Sequence, residues 1–403
     1  MTSLILLSTA DWDNPFWTNK QHVACELAAR GCRVLYIDSL GLRRPSASAQ
    51  DLARIARRLG KAAAMLRLVR ENLWVWSPAL LPLQRYGAVR AFNRALFSTL
   101  LGACRRRLGM PNATLWTYNP MTTRLLDIDG FDRIVYHCVD DIGVQPGMPA
   151  LVLAAAEKQL VERADIVFAT SPRLAETRKA WNPATHYLPN VADYDHFVKA
   201  LDPATIVPGD LAALPRPRVG FIGAISGYKL DFALIRRIAA LRPDWSIVLI
   251  GKIGEGDPWT DRRSIEGVPN LHLLGPRPYA TLPAYLKGFD AAMLPSARNE
   301  YTESMFPMKF FEYLAAGRPV VSVQLPALAE FSHVARLCGS ADAFVEGLAA
   351  AIEGGGAPLE TRLALARRHT YVARMDRMLA LMDGGCVAET AMIAADPVAR
   401  RST

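Results

Sequence analysis

The sequence predicts an α/β protein made of two Rossmann-like domains in series, whose strand ends face each other across a cleft. Three observations predict it. At 403 residues the chain is too long for one ordinary core. Short apolar runs alternate with helical stretches in two separate regions, the rhythm of parallel sheets. A Pro-, Ala- and Gly-rich stretch parts the two regions. The expected division is 1–201 for the N-terminal domain, 202–217 for the linker, 218–360 for the C-terminal domain, 361–383 for a helix crossing back to the N-terminal domain, and 384–403 for a loose tail.

Residues 3–8 are the first strand candidate. In 18–30, Val23, Ala24, Leu27 and Ala28 fall at helical spacing, Gly31 stands where a helix C-cap belongs, and 33–38 is the next strand. The rhythm continues through strands at 72–76, 113–117, 133–138 and 166–169. It restarts after Pro217 with a strand at 218–225 and a helix at 231–241. Strands follow at 246–251, 270–274 and 290–294, with 282–286 helical. A helix over 305–316 stops at Gly317 and feeds a strand at 319–323, and 359–382 is one long helical stretch.

Composition excludes several classes. Hydrophobic residues make up 51% and charged residues 21%, which suits a globular protein and not a disordered one. No apolar run approaches the roughly 20 residues that span a bilayer. The start lacks a basic region and meets Asp11 and Asp13 at once, so it reads as a buried strand rather than a signal peptide. Cys25, Cys32, Cys104, Cys138, Cys338 and Cys386 have no CxxC spacing, and the seven histidines form no HExxH. Reduced thiols, a cytoplasmic location, no metal and no bound cofactor are the expectation. Between Arg43 and Arg107, fourteen Lys and Arg face only Asp51 and Glu71, a net +12 within a total of +9, which leaves −3 elsewhere. That is a localised basic face.

Ligands of open α/β sheets bind beyond the strand C-termini. Neither half has GxGxxG followed by an acid about 20 residues on, which disfavours a dinucleotide dehydrogenase. The most informative stretch is 306–321, FPMKFFEYLAAGRPVV. Pro307 suits a first helical turn, and the free N–H groups and dipole of that end favour phosphate. Glu312 sits further in on an otherwise apolar helix, where a carboxylate can accept two ribose hydroxyls. A solvated helix Glu is the alternative reading.

This stretch resembles the donor-site helix of GT-B glycosyltransferases of the family-4-like group (glycosyl transferases group 1), often P-x-K-x-x-E-Y-x-A-x-G-x-P-V-V. YHCVDDI at 136–142, AEKQLVERADIVFATSPRL at 156–174, LPNVADYDHF at 188–197 and VGFIGAISGYKLDFALI at 219–235 are similar to the corresponding stretches there. The resemblance implies a GT-B fold and transfer of a sugar from a nucleoside-diphosphate donor to a hydroxyl acceptor, with retention, in surface polysaccharide or glycolipid synthesis. Lys229 then matches the lysine that meets the diphosphate, or is a surface Lys before a helix. Gly223 lies where close backbone approach is wanted, Lys309 matches the motif lysine, and Glu312 matches the glutamate that binds ribose. Relatives with two motif glutamates carry the first eight positions before the second. Here that position is Ser304, and the acid is Glu303, about 100° away on a helix. Backbone amides of Met305 and Phe306 are the alternative contacts to the sugar.

In the N-terminal domain, Trp12, Asp13, Asn19 and Lys20 follow the first strand and face the cleft. The polar groups suit phosphate or acceptor hydroxyls; Trp12 and Trp17 either stack on sugar or cover the helix base. His137 ends a strand before Val-Asp-Asp, where the family has a His near the transferred sugar; the alternative is a structural His. Asp140 and Asp141 are candidates for an acceptor-side base or orienter. Residues 51–70 place Leu52, Ile55, Leu59 and Leu66 on one helical face with Arg54, Arg58 and Lys61 on another. With Arg105, Arg106 and Arg107 this suits an anionic membrane surface at the inner face, or else an ordinary helix covering the sheet. No nucleic-acid motif accompanies the charge. A GT-B sugar-nucleotide epimerase and a non-catalytic GT-B partner subunit are the rival functions.

Overall fold

The computed structural model describes residues 2–14, 17–40, 66–81, 86–255, 257 and 259–384. Arg54, Arg58, Lys61, most of the expected basic helix and nearly all of the expected tail lie outside them.

The first sheet holds β1 (Ser3–Leu7), β2 (Arg33–Ile37), β3 (Arg67–Arg70), β4 (Leu73–Trp76), β5 (Thr114–Thr117), β6 (Arg133–Cys138), β7 (Ile166–Ala169) and β8 (Thr185–Tyr187). Its order is β3-β4-β2-β1-β5-β6-β7-β8, and every pairing is parallel except β3 with β4. Both faces are covered, so the inner strands are apolar throughout. Ile5, Leu35 and Leu115 pack on the side of α2 (Gly87–Arg107), while Leu4, Val34 and Trp116 pack under α1 (Asn19–Ala29). Helices α3 (Ala150–Arg163) and α4 (Pro172–Lys179) complete this domain.

The second sheet holds β9 (Arg218–Ile222), β10 (Ser246–Ile250), β11 (Leu271–Leu273), β12 (Ala291–Leu294), β13 (Val320–Val323) and β14 (Ala335–Cys338), in the order β11-β10-β9-β12-β13-β14. All its pairings are parallel. Its helices are α5 (Phe232–Leu241), α6 (Leu282–Lys287), α7 (Glu300–Ser304), α8 (Lys309–Ala315), α9 (Ala341–Ile352), α10 (Leu359–Arg368) and α11 (Tyr371–Met382). Phe197, Ala200 and Leu211 belong to this core, so the stretch 197–211 packs on the second domain.

Three local expectations are corrected. The helix expected over 305–316 begins only at Lys309, and a separate short helix, Glu300–Ser304, precedes it. Asn299 caps an earlier turn, its Oδ1 accepting from Thr302 N, and Pro307 disfavours helical backbone at Phe306. The stretch 359–382 breaks at His369, and Thr370 starts a new helix by accepting from Ala373 N. Leu66 leads into β3 instead of sitting on a helix. The unforeseen strands β3, β8 and β14 all lie at sheet edges, where short half-exposed segments carry little periodic signal.

Helix α11 does cross back. Met375 and Met378 join the core beneath α1, and Arg30 pairs with Asp376 at 2.6 Å. The strand C-termini of both sheets thus face one cleft, bordered by α1, α7, α8 and α11.

Candidate active site at the interdomain cleft

Glu312 lies on α8 and is buried; Lys309, one turn earlier, holds it with Nζ at 2.8 Å from Oε2 and 3.1 Å from Oε1. Burial raises the Glu312 pKa and Lys309 opposes the rise. His196 and Asp193 act on the same carboxyl, the first lowering and the second raising its pKa. His196 stacks on Tyr279 at 4.3 Å and donates from Nε2 to the Tyr279 carbonyl at 2.9 Å. His22 of α1 stacks on Tyr371 at 4.1 Å. Burial, with Arg374, Lys309, His196 and Arg70 adding to it, pushes its pKa down to about 3, so its ring is neutral. A buried carboxylate whose hydrogen-bond partner among the described residues is one lysine can accept hydroxyl groups from a ligand that displaces no other partner.

The bend before α8 is fastened to the N-terminal domain. Asn190 donates from Nδ2 to the Phe306 carbonyl at 2.7 Å, and Ser171 Oγ donates to the Ser304 carbonyl at 2.6 Å. Tyr301 O–H donates to Asp140 Oδ1 at 3.0 Å. Glu303 pairs with Arg173 at 2.7 Å, both about half exposed, so its carboxylate is turned to the N-terminal surface. This exposed pair contributes about 1 kcal/mol or less. Glu303→Ala is therefore expected to leave the urea-unfolding midpoint nearly unchanged, and a drop of several kcal/mol would give the pair a larger role.

The other sequence-predicted residues divide clearly. Asp141 stands 3.5 Å from Arg178, whose Nη2 also meets Glu157 at 2.9 Å, an ion-pair cluster behind the sheet. His137 is fully buried among Trp116, Tyr118 and Phe168, and neither ring nitrogen has a hydrogen-bond partner among the described residues. Burial, then Arg374 and Lys20, hold its pKa well below the usual value, so it is a neutral core imidazole. Trp12 packs against Trp17 and Tyr36, and its backbone N–H donates to Asp38 Oδ1 at 2.7 Å. Asp13 pairs with Arg67. A Cβ at Gly223 would lie 2.8 Å from the Phe221 ring, and one at Gly251 would lie 1.7 Å from the Gly223 carbonyl oxygen, so the two loops pass closely here. Arg105 is tied to the carbonyls of Met110 and Gly130, whereas Arg106 and Arg107 are exposed.

Asn19 and Lys20 are neighbours with different surroundings. Asn19 is buried in a relay: Arg374 donates to its Oδ1 at 2.7 Å, and its Nδ2 donates to Asn190 Oδ1 at 2.8 Å. Lys20 stands over the Tyr118 ring, while on the loop after β9 Lys229 is placed by bonds from Ala297 N to its carbonyl and from Asn299 Nδ2 to the Tyr228 carbonyl. Asn190, His196, Tyr279, Tyr301, Tyr371 and Arg374 were not singled out from sequence. Only Asn190 and His196 carried a signal, inside the motif-like 188–197 stretch.

Residues 216–354 match the family model described as glycosyl transferases group 1. The chain is 30% identical over 229 residues to a Bacillus subtilis (strain 168) protein named for teichuronic acid biosynthesis, the glycosyltransferase TuaH; the match covers 53% of this chain and 56% of that protein. The chain thus spans about half the length of that relative. Sucrose-phosphate synthase of Thermosynechococcus elongatus is similar in structure, with a TM-score of 0.65 at 16% identity over 95% of this chain and 99% of that one. Anabaena Alr3699/HepE, solved with UDP, gives 0.62 at 14% identity over 95% and 100%. A trehalose-6-phosphate protein of E. coli, bound with UDP-2-fluoro glucose, gives 0.66 at 12% identity over 96% and 100%. These likenesses carry the fold of the chain, and the family match is confined to residues 216–354. The protein has the GT-B fold, and its residues 216–354 are similar to glycosyl transferases group 1.

Proposed function

We propose that the protein is a glycosyltransferase that moves a sugar from a nucleoside-diphosphate donor to a hydroxyl of a glycan or lipid-linked acceptor, with retention, in surface polysaccharide synthesis. The observation that carries this reading is Glu312, a buried carboxylate on a cleft-facing helix held by Lys309 alone among the described residues. Glu312 takes the ribose hydroxyls, Lys229 meets the diphosphate, and the amides of Met305 and Phe306 border the sugar. The name of the teichuronic acid relative supports the polysaccharide role, and the UDP complexes of similar structures support the donor class. The test is a thermal-shift screen of nucleoside diphosphates and sugar nucleotides, followed by NMR of the anomeric product. Stabilisation by one nucleotide series and a retained anomer are expected; a chain indifferent to every nucleotide overturns the reading.

A second reading, a non-catalytic GT-B subunit, is favoured by one observation: Glu303, Asp140 and Asp141 all hold protein partners. Nucleotide binding without transfer to any acceptor extract would favour it.

We also infer a peripheral position on an anionic bilayer through the basic face ending in Arg106 and Arg107. No helix among the described residues is long and apolar enough to cross a membrane. Flotation with anionic vesicles should fall when Arg54, Arg58, Lys61, Arg106 and Arg107 are replaced by Gln, and equal recovery would overturn this placement.

A further inference from the structure

At the cleft, Lys20 and Lys229 stand over tyrosine rings without a hydrogen bond or ion pair among the described residues. Lys20, in the first turn of the 11-residue α1, is only 8% exposed, yet its ammonium makes no hydrogen bond or ion pair among the described residues. Its Nζ stands 5.6 Å from the centre of the Tyr118 ring. Lys229, on the opposite domain, also lacks a side-chain hydrogen bond or ion pair among the described residues; its Nζ stands 5.4 Å from the Tyr228 ring and 5.8 Å from that of Tyr301. Lys20 follows β1 and Lys229 follows β9, so both stand at the strand C-terminal edges that border the cleft. Burial lowers the Lys20 pKa, Asp140 opposes this, and Lys229 adds to it. Asp140 already accepts from Tyr301, and Glu312 is held by Lys309, so neither carboxylate is paired with Lys20 or Lys229.

Burying an ammonium without a hydrogen-bonded anion is costly, and two that approach from different domains repel each other. The positive end of the α1 dipole adds to the field. A ligand with two adjacent phosphates relieves all three effects at once, which a monophosphate does only in part.

We propose that Lys20 is the second cation of the diphosphate site, so that the diphosphate is clasped between Lys20 of the N-terminal domain and Lys229 of the C-terminal domain. This rests on the donor-site reading above. It makes the site complete only when the domains are together, and it makes the second phosphate, rather than the nucleoside, the group that draws them closed.

The experiment is calorimetry on the full chain and on Lys20→Met, Lys20→Arg, Lys229→Met and Glu312→Ala, with UDP, GDP, ADP and dTDP, the matching monophosphates and the nucleosides. For the base that binds, Lys20→Met should weaken the diphosphate about 10- to 100-fold and the monophosphate by less than about threefold, with Lys20→Arg close to the parent. Glu312→Ala should instead weaken all three ligands alike. Thermal unfolding of ligand-free Lys20→Met should be no lower than the parent, because a buried unpaired charge has been removed. Diphosphate affinity unchanged in Lys20→Met, or an equal loss for diphosphate and nucleoside, overturns the role of Lys20 while leaving the donor site standing. A parent chain that binds none of the nucleotides overturns the donor site and this inference with it.

Discussion

Replacing Glu312 by Ala is expected to weaken nucleotide binding about 100-fold or more, because two hydroxyl bonds to a charged acceptor contribute about 1.5–3 kcal/mol each. The loss should be larger than in a solvated pair, since the carboxylate is buried and pre-positioned by Lys309 at 2.8 Å. Calorimetry checks it, and similar affinity in Glu312→Ala and parent would falsify the donor-site assignment. The same carboxyl makes a prediction for the ligand-free protein. Its folded pKa is raised, with burial as the largest cause. The folded state therefore binds this proton more tightly than the unfolded chain. The associated stability is fully present below the ordinary carboxylate pKa and is lost as pH rises through the folded value. Against Glu312→Gln, which has no such titration, the parent should fare best near pH 4 and lose ground toward pH 8 in urea unfolding. A difference that grows in the parent's favour with pH would mean that Lys309 outweighs burial. Glu312 would then be a stabilising ion pair rather than a carboxylate held ready for a ligand at a cost to the fold.

How much of this was legible in the sequence depended on the range of the interaction. The parallel strands could be read because each is buried on both faces and so is apolar without interruption, as in β9, RVGFI. Glu312 could be read because a carboxylate within KFFEYLA breaks an apolar helix. Pro307 was legible as a helix-start signal, but its effect on the preceding Phe306 moved the start to Lys309 and created the bend that Asn190 grips. Asn19 and Lys20 were legible as polar residues near the cleft but not as opposites. One residue is about 100° of helix, and only the packing of α11 decides which of them meets Arg374. Tyr301 and Arg374 were illegible because their partners lie 161 and 355 residues away in sequence. Asp140 showed the same limit from the other side, since the tyrosine that holds it belongs to the other domain.

Those distant contacts set the second large effect. Arg374 can only donate, so Asn19 must present Oδ1 to it and Nδ2 to Asn190; Asn190 must then accept from Asn19 and donate to the Phe306 carbonyl. The relay has one direction, runs from α11 through both domains and ends at the turn that starts the Glu312 helix. Asn190→Ala removes two buried bonds and leaves an amide and a carbonyl without partners, a loss of about 2–4 kcal/mol. Asn190→Asp is the sharper test. It keeps the volume, but Asn19 Nδ2 can satisfy only one carboxylate oxygen, and the other faces a carbonyl that also only accepts. The domain contact breaks although the side chain is nearly isosteric, and the unpaired buried charge makes the loss at least as large as in the Ala variant. Chemical denaturation should show both losses. Nucleotide affinity should fall in Asn190→Asp as well, although Asn190 need not touch the ligand, because Phe306 fixes where Lys309 and Glu312 begin. Parent-like stability in Asn190→Asp would mean that the relay carries no directional information. Lost stability with full nucleotide affinity would mean that the turn at Phe306 is positioned by Ser171 and Tyr301 rather than by the relay.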